Sequence, residues 1–293
     1  MFFQQIANAL ALGSVYSLFA IGFTLIFGVL EVITLAHGAV FMIGAFAGLI
    51  AVTKFNFSII PTILISMLAS GLAGFIIDLV AVKPLRARKF HHLAPMIATI
   101  GSATIIISIY QGIFGAEVYR FPFDFVPSDS YEFYGIQLTL LQLMIIGTSF
   151  LLMVIMILLL NKTKWGKAVR AVAESSKTAA LLGIPVEKVY QFTMVISSAF
   201  GGAAGVLTGL NFNAIHTFMG GPILLRGIAV IILGGMGDIR GAMFGGLILG
   251  FSEVLSVAYI SSDFRDAVSF GLLFFILLIK PSGIFGKVME RKG

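Results

Sequence analysis

The sequence predicts an all-α polytopic membrane protein, and three observations predict it. Of the 293 residues, 59% are hydrophobic and only 11% are charged, against about 25% charged in ordinary soluble domains. Apolar runs of about 20 residues follow one another along the chain, and a helix of that length satisfies its own backbone hydrogen bonds across hydrocarbon. The charges gather in a few gaps between those runs. The net charge of +6 is therefore an orientation signal, since Lys and Arg collect on cytoplasmic loops, and no nucleic-acid partner is expected. With no cysteine, disulfides and thiolate metal sites are excluded.

The elements follow in order. Met1 to Gln5 lacks the basic segment of a cleaved leader, so the first run, 6–29, is read as a span. Further runs lie at 37–54, 58–82, 93–114, 138–160, 189–211, 241–260 and 264–280. A shorter stretch, 227–235, cannot cross about 30 Å of hydrocarbon alone. The gap 83–92 (Lys83, Arg86, Arg88, Lys89), the segment 161–188 and the tail (Lys287, Arg291, Lys292) are basic and read as cytoplasmic. The gap 115–137 carries Glu117, Asp124, Asp129 and Glu132 against Arg120 and reads as an external loop. Counting crossings puts the N-terminus outside and the C-terminus in the cytoplasm. The result is one transmembrane domain, 1–293, of about eight full transmembrane helices plus one short broken or re-entrant helix.

Two breaks bring polar groups close to membrane depth. At Glu31 to Gly38, Thr34 and His37 offer hydrogen-bonding groups and Gly38 frees the backbone. A tight cytoplasmic turn with His37 capping a helix end competes there with solute contact. At Leu233 to Gly241, Gly234 and Gly235 expose backbone that can meet a polar solute, while Asp238 and Arg240 can neutralise each other. A weak repeat links the two breaks: Gly22 to Phe27 then Gly38 to Phe41, and Gly227 to Ile232 then Gly241 to Phe244. Glu253 lies inside the 241–260 run, where a carboxylate needs a partner such as Ser252, a neighbouring helix or a solute ammonium. Asp78 reads as interfacial charge balance. Gly201 and Gly205 have the small-xxx-small spacing that lets helices approach closely. In the external loop, Tyr119, Phe121, Phe123 and Phe125 alternate as in a short extended segment, and membrane-boundary aromatics are commonly a belt.

The segment Asn161 to Lys188 carries its own helix punctuation. Ser175 or Ser176 can N-cap a short helix through Thr178, Ala179, Ala180, Leu181 and Leu182, with Gly183 as its C′ residue and Pro185 opening the next helix. The Ala and Leu side chains can dock into a groove; a basic helix resting on anionic lipid is the alternative. Lys167, Arg170 and Glu174 precede it. No G-x-x-x-x-G-K-[ST] loop occurs in the chain, so any ATP chemistry belongs to another subunit.

The ordered stretches Asn8 to Tyr16, Ala36-His37-Gly38, Lys83 to Arg86, Pro95 to Gly101, Gly166 to Ala173, Leu181 to Ile184, Leu233 to Gly237, Arg265 to Val268 and Pro281 to Gly286 resemble the inner-membrane permease family of branched-chain amino acid ABC importers. The resemblance implies a non-catalytic inner-membrane subunit working by alternating access beside a second related permease, in a heterodimer or a homodimer. It also implies a cytoplasmic ATPase pair that uses ATP and Mg and binds the 161–188 region, and an external solute-binding protein. No cofactor or metal is expected on this chain. Thr34 and Ala39 stand where family members commonly carry Asn and Glu. Leucine, isoleucine and valine are the default solutes; urea and short amides use similar permeases. The candidate solute-pathway residues are Thr34, His37, Gly38, Thr99, Gly234, Gly235 and Glu253. The candidate coupling residues are Lys167, Arg170, Glu174, Thr178, Ala179, Leu182 and Gly183. A self-sufficient channel or secondary carrier is the rival class, and it needs no structured cytoplasmic element. A membrane enzyme lacks paired acids, a His cluster or a nucleophile arrangement in the spans.

Overall fold

A computed structural model describes residues 2–87, 93–125, 129–133 and 136–286; Arg88, Lys89, Pro127, Lys287, Arg291 and Lys292 lie outside them. The chain forms α1 (Phe2–Leu30), α2 (His37–Phe55) and α3 (Ile59–Ile77), which runs through a π-helical turn (Asp78–Val82) into α4 (Lys83–Ala87). Then come α5 (Leu93–Phe114), α6 (Leu140–Lys162), α7 (Lys164–Glu174), α8 (Ser176–Leu181), α9 (Val186–Phe212), α10 (Gly220–Gly234), α11 (Ile239–Tyr259) and α12 (Arg265–Ile279). Seven stretches among the described residues are long and apolar enough to cross a membrane: α1, α2, α3 through Arg86, α5, α6, α9 and α11. The run at 264–280 folds as the 15-residue α12. The short stretch at 227–235 gains residues upstream to become α10, also 15 residues, or about 22 Å, still less than the hydrocarbon thickness.

Between apolar helices in lipid, contact comes from close packing and from hydrogen bonds, and the buried centre shows both. A Cβ on Gly44 would strike the backbone of Gly202, and one on Gly205 the carbonyl of Phe41, so α2 and α9 meet with almost nothing between them. Helix α1 is buried along most of its length and runs antiparallel to α11. Its Gly13 lies against Leu247 and its Gly28 against Gly237, while Ser17 Oγ donates to Met243 O at 2.6 Å. Ser70 Oγ of α3 donates to Val40 O at 3.1 Å. On the periphery, α5 and α12 leave Ile105, Ile109, Phe274 and Phe275 exposed.

The connection from α1 to α2 is a re-entrant segment. His37, the first residue of α2, is 1% exposed, and its ring stacks on Phe23 at 5.4 Å and tilts against Phe19 at 4.7 Å. Those residues lie seven and eleven positions before Leu30, or roughly 10 and 16 Å back along α1. Residues 31–36 therefore carry the chain back to mid-depth, and His37 is a buried side chain of the core, which corrects the tight-turn reading. Glu31 starts the reversal at a left-handed φ of 55°. Thr99 of α5 pins it: its Oγ1 accepts from Leu35 N at 3.2 Å and donates to Met96 O at 2.7 Å.

The second break differs. Gly227 lies against Phe19 and Gly237 against Gly28, so α10 runs in the same direction as α1, as the repeat requires. Yet α10 and α11 are joined by a tight turn in which Gly235 and Gly237 have φ of 107° and 87°. Asp238 caps α11, its carboxylate accepting from Gly241 N at 2.8 Å; no Asp238–Arg240 ion pair occurs among the described residues.

In the 115–137 loop the alternating aromatics do not form a strand. Phe123–Phe125 is a 3-10 turn, and the antiparallel pair is Ser130–Phe133 with Ile136–Thr139. Phe121 is 2% exposed and its N–H donates to Asn213 Oδ1 at 2.8 Å, so it anchors the loop to the end of α9 instead of joining a belt.

Candidate functional site

The candidate coupling segment is built from local capping. Thr163 opens α7, its hydroxyl accepting from Gly166 N at 3.0 Å. Ser175 opens α8 by accepting from Thr178 N at 3.2 Å and also donates to Thr178 Oγ1 at 3.0 Å. Gly183 closes α8 at φ 80°, and Pro185 is the N-cap position of α9. Helix α7, eleven residues long, was not separated from the basic gap by sequence reasoning. Its signal was the Thr163 cap followed by Val169 and Val172, which it buries. Trp165 stacks on Phe192 of α9 at 4.9 Å.

Lys167, Glu174 and Thr178 are exposed, as are Leu182 and Gly183. Arg170 folds back, donating to the Leu160 carbonyl at the end of α6 and to Asn161 Oδ1. Ala179 is 2% exposed, because it faces inward under α8; the apolar side chains left bare at the end of α8 are Leu181 and the following Leu182, at 88% and 75% exposure. A cavity of about 690 Å³ separates this segment from the end of α1, with Glu31 and Val32 on one wall and Glu174, Ser175 and Ala180 on the other. At its edge Arg86 bridges buried Asp78 at 2.9 Å and Glu187 at 3.1 Å, and lies over the Tyr190 ring. Asp78 is thus buried, and its charge is balanced by Arg86 of the 83–92 gap.

The named solute-pathway residues separate into three groups. Thr34, His37, Gly38 and Thr99 cluster around the re-entrant segment but line none of the cavities described in this section. A Cβ on Gly38 would strike the Gly220 carbonyl, so its bareness serves the crossing of α2 with α10. Both ring nitrogens of His37 lack a hydrogen-bond partner among the described residues. Gly234 and Gly235 do not offer free backbone to a solute: the chain after α12 returns, and Ile284 N and Phe285 N donate to Leu233 O and Gly234 O, each at 2.9 Å.

Glu253 is the third group, and its partners were not legible. It is fully buried and accepts from Tyr16 Oη at 2.9 Å, Arg226 Nε at 2.7 Å, Arg265 Nε at 2.7 Å and Ser269 Oγ at 3.3 Å. Arg226 also holds the exposed Asp266 at 2.7 Å. Ser252 is not involved; its hydroxyl donates to Ile248 O within the helix. The knot ties α1, α10, α11 and α12 together with two cations and two anions, so it carries no net charge. One cavity, of about 330 Å³, lies on its carboxamide side against Asn8, Gln142 and Asn211. A second, of about 250 Å³, lies on its apolar side against Phe41, Met219 and Ile223. The missed signal was Arg226 itself, an ionisable residue within reach of an apolar run.

Residues 5–277 match the protein family described as "Branched-chain amino acid transport system / permease component". The chain is 36% identical to the high-affinity branched-chain amino acid transport system permease protein LivH of Escherichia coli K12, and 35% identical to that of Salmonella typhimurium LT2; each alignment covers 99% of this chain and 97% of the relative. It is 33% identical to BraD of Pseudomonas aeruginosa PAO1, over 99% of this chain and 98% of that one. No solved structure matches significantly.

Proposed function

This chain belongs to the permease component family of branched-chain amino acid transport systems, and from that premise we propose that it is one membrane subunit of an ATP-driven importer of leucine, isoleucine and valine. The observation that carries the energy-coupling part is the capped α7–α8 element. It stands proud of the bundle with Leu181 and Leu182 bare, in a chain without a phosphate-binding loop. A pair of ATPase subunits docks there and uses ATP and Mg, while this chain performs no hydrolysis. A second related permease completes the membrane part, and a binding protein delivers the solute to the face bearing the 115–137 loop. That face is external, with the N-terminus outside and the cytoplasmic face at α7–α8. The re-entrant segment, with Thr34, His37, Gly38 and Thr99, moves as the pathway alternates.

Reconstitution into proteoliposomes tests the proposal. Uptake of leucine should require ATP, both ATPase subunits, the second permease and the binding protein together. Uptake by this chain alone, without ATP, would make it a channel or secondary carrier instead.

A further inference from the structure

The 250 Å³ cavity has an unusual division of chemistry. Its lining residues include Arg226 and Arg265 and no acid, with Phe41, Met219 and Ile223 forming an apolar wall. Both arginines spend Nε on Glu253. Their other nitrogens reach only Asp266, at 2.7 Å from Arg226 Nη2, and Tyr16 Oη, at 3.4 Å from Arg265 Nη2. Each therefore keeps an Nη1 without a protein hydrogen-bond partner among the described residues. A guanidinium with its Nε fixed and a terminal nitrogen open is oriented for a carboxylate, since charge-assisted pairing with Arg is directional. Tyr16 Oη donates to Glu253 and Thr208 Oγ1 donates to Ala204 O. Thr208 Oγ1 thus keeps two lone pairs for an ammonium and Tyr16 Oη, which also accepts from Arg265 Nη2, keeps one; both residues line the cavity.

We propose that this cavity is the permease's own receiving site for the amino acid: carboxylate on Arg226 and Arg265, side chain against Phe41, Met219 and Ile223. The inference rests on the reading of the chain as an amino-acid importer subunit. Charge supports it. The knot is already neutral, so a zwitterion leaves it neutral, whereas an anionic solute would bring an uncompensated charge to a buried carboxylate. Position supports it too. The cavity is bounded by Phe212 and Ala214 at the end of α9, next to the Tyr119–Ile215 bridge that ties down the 115–137 loop, and opposite the end of α9 that faces α7 and α8. Solute handed over at the loop face meets this cavity before the re-entrant segment.

The test uses the complete importer in proteoliposomes and compares leucine with valine uptake for wild type, Ile223→Trp and Ile223→Ala at equal membrane amounts. Ile223→Trp narrows the apolar wall and should lower the leucine-to-valine ratio at least fivefold. Ile223→Ala widens it and should raise the ratio; a protein merely damaged in folding would lose both activities in proportion. Arg265→Gln should lower uptake of both at least tenfold, and Arg265→Lys should restore part of it. Wild-type transport with an unshifted ratio in both Ile223 variants overturns the cavity proposal and leaves the importer reading standing. A wild-type complex that carries neither amino acid overturns the importer reading itself.

Discussion

Arg226 Nε lies 2.7 Å from Glu253 Oε1, joining α10 to α11 through a carboxylate that is fully buried. Two guanidinium groups pair with that one acid, and Arg265 has no other carboxylate partner among the described residues. Removing one partner of a buried pair leaves an uncompensated charge and costs about 3–5 kcal/mol. Glu253→Ala should therefore lower the thermal unfolding midpoint in nanodiscs sharply. Asp266→Asn should move it little, because Asp266 is 68% exposed and exposed pairs contribute about 0–1 kcal/mol. Equal midpoints for the two variants would show that the knot does not hold the helices together.

Gly202 sets the separation of α9 from two helices: a Cβ on Gly44 of α2 would strike its backbone, and a Cβ on Gly202 itself would strike Ser70 and the Ser66 carbonyl of α3. Gly202→Val should force α9 away from α3 and cost at least the 1–3 kcal/mol or so typical of overpacking. The expected readout is loss of folded protein from the membrane. Gly101→Val on α5, where nothing lies within 4 Å of the added Cβ, should be tolerated at normal levels.

On α8 the buried and exposed residues predict different defects. Leu181→Asp with Leu182→Asp should leave the permease folded while abolishing capture of the ATPase subunits and solute uptake, since both side chains are exposed. Ala179→Asp should instead reduce folded protein, because it places a carboxylate in the core. Normal ATPase capture by the double leucine variant would remove α8 as the docking element.

Among the described residues, Thr99 is the one side chain that holds the re-entrant backbone by a hydrogen bond, accepting from Leu35 N. Thr99→Val keeps the shape and removes the acceptor, leaving a part-buried donor unpaired at a cost of about 1 kcal/mol. Amide exchange across residues 31–37 should accelerate in that variant and stay unchanged in α9. Unaltered exchange at Leu35 would mean that packing alone fixes the segment.

What was legible in the sequence was whatever is decided locally. Ser175, Gly183 and Pro185 announce their caps because the hydrogen bonds and φ values involved span only a few residues. Gly201 and Gly205 announce close packing because spacing alone puts small residues on one helix face. The paired state of Glu253 was among the expected alternatives, but Arg226, Arg265 and Tyr16 reach it from other helices, and no spacing encodes that. His37 was legible as a polar group at a break, yet its depth depends on Phe19 and Phe23 receiving its ring. Ala179 shows the limit within a single turn of helix: which face of α8 turns inward is decided by α7 and α9, not by α8's own six residues.

The reversal between α1 and α2 has one more consequence. A continuous helix transmits displacement as a stiff rod or has to melt, because every residue is bonded to its own ladder. Residues 31–34 are outside any helix, and the far side of the 690 Å³ cavity below them is the α7–α8 element. The spine of the bundle thus contains a joint at half its height. Motion entering at the α7–α8 face can reach the ring of His37 by rotation about a few backbone bonds, with both adjoining helices intact.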